Sequence, residues 1–137
     1  MLKLAEKRSQ RILSWLPAIF WAGFIFFLSA QHETPADNYS AVVGDMLLII
    51  GHLVVYAVLM VLIVFALRRS TTLPVAQTHL IAFAIVALYA FTDEFHQSFV
   101  PGRNPTAFDW VVDMAGAFLI WLLLFRRELH SDAKPGR

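Results

Sequence analysis

The segment Asp93-Glu94-Phe95-His96-Gln97-Ser98-Phe99-Val100-Pro101-Gly102-Arg103 sets two carboxylates, an imidazole, an amide and a guanidinium within eleven residues of an otherwise apolar chain. These groups suit acid–base work and anion recognition: proton acceptors, a titratable ring, and a planar cation that matches carboxylate or phosphate. Two further polar pairs recur at helical spacing. His52 and Tyr56 are four apart, as are Asp109 and Asp113, so on helices each pair shares a face. Gly116 continues the Asp109–Asp113 face and lets a neighbouring helix approach closely. Asp93 and Gln97 are also four apart, provided the helix runs that far.

The elements that must position these residues follow from composition. Hydrophobic residues make up 58% of the 137, charged residues 15%, and the mean hydropathy is +0.63. A soluble domain averages ~45–50% apolar and ~25% charged, so this composition selects an integral membrane protein. The absence of cysteine excludes disulfides, thiolate metal sites and a cysteine nucleophile.

Four apolar spans are expected in an all-α, single-domain bundle, over roughly residues 12–30, 46–67, 76–93 and 109–125. Residues 12–30 hold no charge, and 19 residues at ~1.5 Å rise can cross a hydrocarbon core of ~30 Å. Pro17 falls early in that span, where a missing N–H is tolerated. The run is expected to stay as a span and not to be cleaved as a signal peptide. It exceeds the ~7–15 residues of a leader's apolar region, and Leu28 is large where a small residue should precede the cleavage.

Ten of the eleven Lys and Arg lie in the N-terminal segment, at Arg68–Arg69 and in the C-terminal tail, which four spans place on one side. The positive-inside rule then puts both termini in the cytoplasm and the polar cluster at the outer end. Arg103 is the sole basic residue there, among Glu33, Asp37, Asp45, Asp93, Glu94, Asp109 and Asp113. It is expected to pair with a carboxylate, Asp113 in particular, or to hold an anionic ligand.

Each signal has a plainer alternative. His52 can be a buried histidine satisfied by Tyr56 or a backbone carbonyl. Asp109 reads first as a helix N-cap. Asp93 and Glu94 can be interfacial acids at a helix end. His32, Glu33 and Asp37 read as solvated loop residues, and His79 and His130 fall on the opposite side of the membrane. The tryptophans read as interface anchors and packing residues. His52, His96, Glu94, Asp93 and Asp113 form a legitimate ligand set for zinc or a harder divalent cation. Glu94 and His96 are only two apart, however, and point to nearly opposite sides of a continuous helix. No familiar metal motif appears, so no resident metal or cofactor is expected, a divalent cation being the exception to weigh.

The combination Ser29-x-Gln31, His52-x-x-x-Tyr56, Asp93-Glu94-x-His96-Gln97-x-Phe99-x-Pro101-Gly102-Arg103 and Asp109-x-x-x-Asp113-x-x-Gly116 resembles the VanZ-like family over most of the chain. That family is named for a teicoplanin-resistance protein found beside vancomycin-resistance genes. The resemblance implies a small bacterial inner-membrane protein acting on the cell envelope or on glycopeptide susceptibility. The expected partners are membrane lipids and an anionic lipid-linked or lipophilic ligand, with no nucleic acid. His52, Tyr56, Asp93, Glu94, Gln97, Arg103 and Asp113 are the expected ligand-binding residues. If the protein is an enzyme acting on an envelope lipid, Glu94 or His52 is the expected general base, and Arg103 the group that stabilises developing charge. Ion or proton transport is disfavoured, because the polar residues crowd one half of the membrane.

Overall fold

The computed structural model describes residues 2–31, 40–103 and 106–132. All regular structure there is helical: α1 (Leu2–Leu13), α2 (Leu16–Ser29), α3 (Ala41–Ser70), α4 (Val75–Gln97) and α5 (Ala107–Asp132). Four helical stretches, Arg8–Ser29, Ala41–Ser70, Val75–Gln97 and Ala107–His130, are long and apolar enough to cross a membrane. Large apolar side chains cover the outside of the bundle, among them Phe20, Leu88, Phe95 and Phe99. Such a surface suits lipid and would be costly in water. The chain is built as a multi-pass membrane protein.

The first span is not one straight helix, as the apolar run suggested. It breaks at Ser14–Trp15, between α1 and α2. Pro17 explains the place, since a proline ring collides with the carbonyl four residues earlier, here that of Leu13, the last residue of α1. The other spans run past the expected limits, and α4 in particular continues through Gln97. At ~1.5 Å per residue, the 30 residues of α3 make it the longest element.

Successive long helices run antiparallel, so α3 and α5 point the same way. Their closest pairs keep one register: His52 meets Asp113 near their N-terminal ends, and Arg68 meets Glu128 near their C-terminal ends. Close packing of this pair depends on Gly116. A Cβ there would collide with the Leu53 backbone, reaching 2.8 Å from its Cα and 2.9 Å from its carbonyl carbon. The core around it combines small residues, Ala82, Ala90 and Ala117, with Tyr56, Leu59, Met60 and Val86. Where packing between membrane helices replaces hydrophobic expulsion, such small residues let backbones come together.

Both ends of the bundle carry polar contacts. At the α3 C-terminal end, Glu128 Oε2 lies 3.3 Å from Arg68 Nε and 3.5 Å from Nε2 of the fully buried His79. The Trp15 indole donates to Ser70 Oγ at 3.2 Å, tying α2's start to α3's end. The opposite end, named here for Arg103, holds most of the residues singled out by the sequence.

Candidate functional site

Asp93 is the hub of the Arg103 end. The last full turn of α4 turns it inward to 4% exposure, and three donors from three helices converge on its carboxylate. Ser29 Oγ at the end of α2 donates at 2.6 Å, Tyr56 Oη from α3 at 3.2 Å, and Gln97 Nε2 from α4 itself at 3.2 Å. Continuation of α4 through Gln97 is what makes the Asp93–Gln97 pair possible. A carboxylate this deep in an apolar bundle requires such partners.

A second cluster joins α3, α4 and α5. His52 Nδ1 and Asp113 Oδ1 are 2.8 Å apart. With a carboxylate as acceptor, the ring nitrogen is the donor. Asp113 is fully buried and its other oxygen, Oδ2, has no hydrogen-bond partner among the described residues. Both carboxylate oxygens of Glu94 are likewise buried without one. One ligand atom from each of His52, Glu94 and Asp113 lies within 4.8 Å of the others.

A cavity of about 370 Å³ lies between α2, α3 and α4. Ile25, Leu28, Leu47, Leu48, Gly51 and Val55 give it apolar walls. Its polar lining is Ser29, Gln31, His52, Tyr56, Asp93, Gln97 and Arg103. His52 therefore belongs both to this wall and to the Glu94–Asp113 cluster.

Arg103 does not pair with a carboxylate among the described residues. Its Nε donates to the Gln31 carbonyl and its Nη2 to the Leu28 carbonyl, both at 3.1 Å. These carbonyls stand at the C-terminal end of α2, where a helix leaves its last acceptors without intrahelical donors and carries partial negative charge. The route to them is a tight turn. Arg103 N–H donates to the Val100 carbonyl at 3.1 Å, and Gly102 has φ 83°. Proline at the second position and a left-handed glycine at the third are the features of a type II turn. Pro101-Gly102-Arg103 is thus a device for delivering a cation to the end of α2.

The structure departs from the expected single cluster in further ways. His52 and Tyr56 share a face of α3, yet His52 turns to Asp113 and Tyr56 to Asp93. Asp113 pairs with His52 and not with Arg103. Asp109 is not the N-cap of α5: Thr106 precedes the helix, and Asp109 Oδ2 accepts from Thr106 N–H and Oγ1, both at 2.8 Å. With Asp109 N–H donating back to Thr106 Oγ1 at 3.3 Å, this is a capping box, and the spacing Thr106-x-x-Asp109 could have revealed it. His96 packs its ring on Phe26, with centroids 4.2 Å apart, and takes no part in the three-residue cluster. His32, Glu33 and Asp37 lie outside the described residues. Sequence reasoning missed Ser29 as a donor to Asp93 and missed the apolar cavity wall. Gly51, a glycine inside an apolar span beside His52, was the available hint.

The arrangement of His52, Asp93–Gln97, the Pro-Gly-Arg turn and Asp113 with Gly116 on parallel helices now bears on kinship. The sequence profile of the VanZ/LLP1 family matches residues 13–128. The chain belongs to the VanZ/LLP1 family. The match takes in every polar residue of the Arg103 end, so the VanZ-like resemblance in the sequence motifs holds at the level of the whole domain. No curated protein and no solved structure gives a significant match.

Proposed function

We propose that this VanZ/LLP1 member recognises a lipid-linked envelope component, a lipid headgroup or a lipophilic glycopeptide at the outer leaflet of a bacterial inner membrane. The observation that carries this reading is the cavity of about 370 Å³ whose lining joins apolar side chains to a set of polar ones. Ligand pockets typically measure ~300–1,000 Å³ and combine apolar walls with a few placed polar groups. Hydrocarbon from a lipid or lipophilic antibiotic suits Leu47, Leu48 and Val55, and a headgroup suits the polar lining residues His52, Gln97 and Arg103. The Leu28 and Gln31 carbonyls hold the guanidinium in place while engaging only part of its five N–H donors. An anionic group at the rim would thus meet a preorganised cation.

The basic residues support the orientation. Ten of eleven lie before α2, in the last turn of α3, or from Arg126 of α5 onward, which favours both termini in the cytoplasm and the Arg103 end outside.

The test is binding of undecaprenyl phosphate, phosphatidylglycerol and a lipoglycopeptide to the purified protein in nanodiscs. At least one should saturate. Gly51→Leu should weaken it tenfold or more, because a Cβ at Gly51 meets nothing within 4 Å and a larger side chain would fill the cavity without breaking the helix. Lack of saturable binding to all three would sink the reading.

A second reading, an intramembrane enzyme acting on such a lipid, is favoured by the unpartnered Glu94 carboxylate beside His52. Either group could serve as general base, with Arg103 acting on a ligand held in the cavity. Lipidomics of cells carrying Glu94→Gln decides: an altered envelope lipid supports turnover, and an unchanged profile leaves recognition alone.

A further inference from the structure

The geometry points to a divalent cation site formed by His52, Glu94 and Asp113, with zinc or manganese as its chemical class of occupant. The three residues come from three different helices, α3, α4 and α5, and offer one nitrogen and carboxylate oxygens within 4.8 Å of one another. Neighbouring ligands around an ion with bonds of ~2.0–2.2 Å stand roughly 3–3.5 Å apart, so side-chain movements of about 1–2 Å close the set. Nitrogen with carboxylate oxygen is a donor combination suited to zinc and to the harder transition ions.

Two independent observations support an ion over a bare acidic pocket. First, the cluster has more acceptors than donors. Among the described residues, fully buried Asp113 has no hydrogen-bond partner for its Oδ2, and neither oxygen of Glu94 has one. Buried polar atoms are normally satisfied, and such a concentration of orphaned acceptors calls for an electrophile. Second, no Lys or Arg among the described residues offsets the two carboxylates. Arg103 is the sole Lys or Arg of this end among the described residues, and it is engaged by the α2 carbonyls. Two carboxylates in an apolar bundle are expensive without compensation, and a divalent ion would supply it.

The scaffold is also rigid where it must be. Gly116 seats α5 directly on the Leu53 backbone, and this contact fixes the distance between His52 and Asp113. Three protein ligands leave coordination positions open, as in catalytic rather than structural zinc sites. This assignment does not depend on what the neighbouring cavity holds.

The test uses the whole chain purified in detergent, stripped with a chelator, and titrated separately with Zn²⁺, Mn²⁺ and Mg²⁺. Elemental analysis after desalting gives stoichiometry, and calorimetry gives affinity. The expected result is one Zn²⁺ or Mn²⁺ per chain, with affinity lowered at least tenfold by Glu94→Gln and by Asp113→Asn. Affinity should be unchanged by His130→Ala, on the exposed end of α5. Circular dichroism confirms that each variant is folded. Should Asp113→Asn fail to fold, Glu94→Gln and the wild-type stoichiometry decide. Folded wild-type protein that binds no ion above background overturns the assignment, as does binding that survives Glu94→Gln at full affinity.

Discussion

Asp93 holds the most heavily committed side chain in the protein, with Ser29, Tyr56 and Gln97 all donating to it. An amide in its place keeps one acceptor oxygen and turns a second pair of hydrogens toward existing donors. Asp93→Asn should therefore cost about 2–3 kcal/mol, the range for a lost hydrogen bond to a charged group plus an unsatisfied neighbour. Tyr56→Phe removes one donor only and should cost about 1 kcal/mol. Denaturant unfolding in detergent measures both, and equal stability of wild type and Asp93→Asn would show that the hub is not closed. At this scale the sequence was partly legible. The Asp93–Gln97 spacing announced its own pair, because both partners lie on one helix. Ser29 and Tyr56 come from other helices, and nothing local in the chain says which of the nearby acids they choose.

At the scale of elements, two glycines carry the geometry. Gly116→Ala would press a methyl group into the Leu53 backbone, where no side chain can yield. It should destabilise the protein by about 3 kcal/mol, the upper range for overpacking, and should loosen the His52–Asp113 contact with it. Gly102→Ala places a Cβ at φ 83°, a conformation costing about 1–2 kcal/mol for other residues. Thermal melts of both variants check the ranking, and a silent Gly116→Ala would mean that α3 and α5 sit farther apart than described. Span number and approximate position were readable from apolar length alone, because bilayer thickness dictates it. The break at Ser14–Trp15 was also in principle readable, since Pro17 reaches back to Leu13. The Thr106–Asp109 capping box shows the opposite lesson: the right residue was noticed and assigned the neighbouring position of the same motif.

For the whole molecule, the issue is which way the bundle faces. The chain contains no cysteine, so single cysteines can report orientation without background. Ser98→Cys, exposed at the end of α4, should react with a membrane-impermeant thiol reagent in intact spheroplasts. A cysteine at Thr72, between α3 and α4, should react only after permeabilisation. The reverse pattern would invert the topology and place the cavity on the cytoplasmic side. What the sequence could not convey at this scale was the division of one polar end into two clusters, with His52 in one and Tyr56 in the other. Periodicity reports which residues share a face, whereas the choice of neighbour depends on how the helices are rotated against one another.

The bonds from Arg103 to Leu28 and Gln31 close contacts 75 and 72 residues apart in sequence. A growing chain therefore completes α2 out of order. The Leu28 carbonyl already accepts from the Gln31 N–H at 3.2 Å, but the guanidinium that joins it to the Gln31 carbonyl arrives only when the turn after α4 has emerged and folded. The end of the first span is thus among the last parts to be finished, and a chain halted before residue 103 should leave the end of α2 open to protease even with three spans inserted.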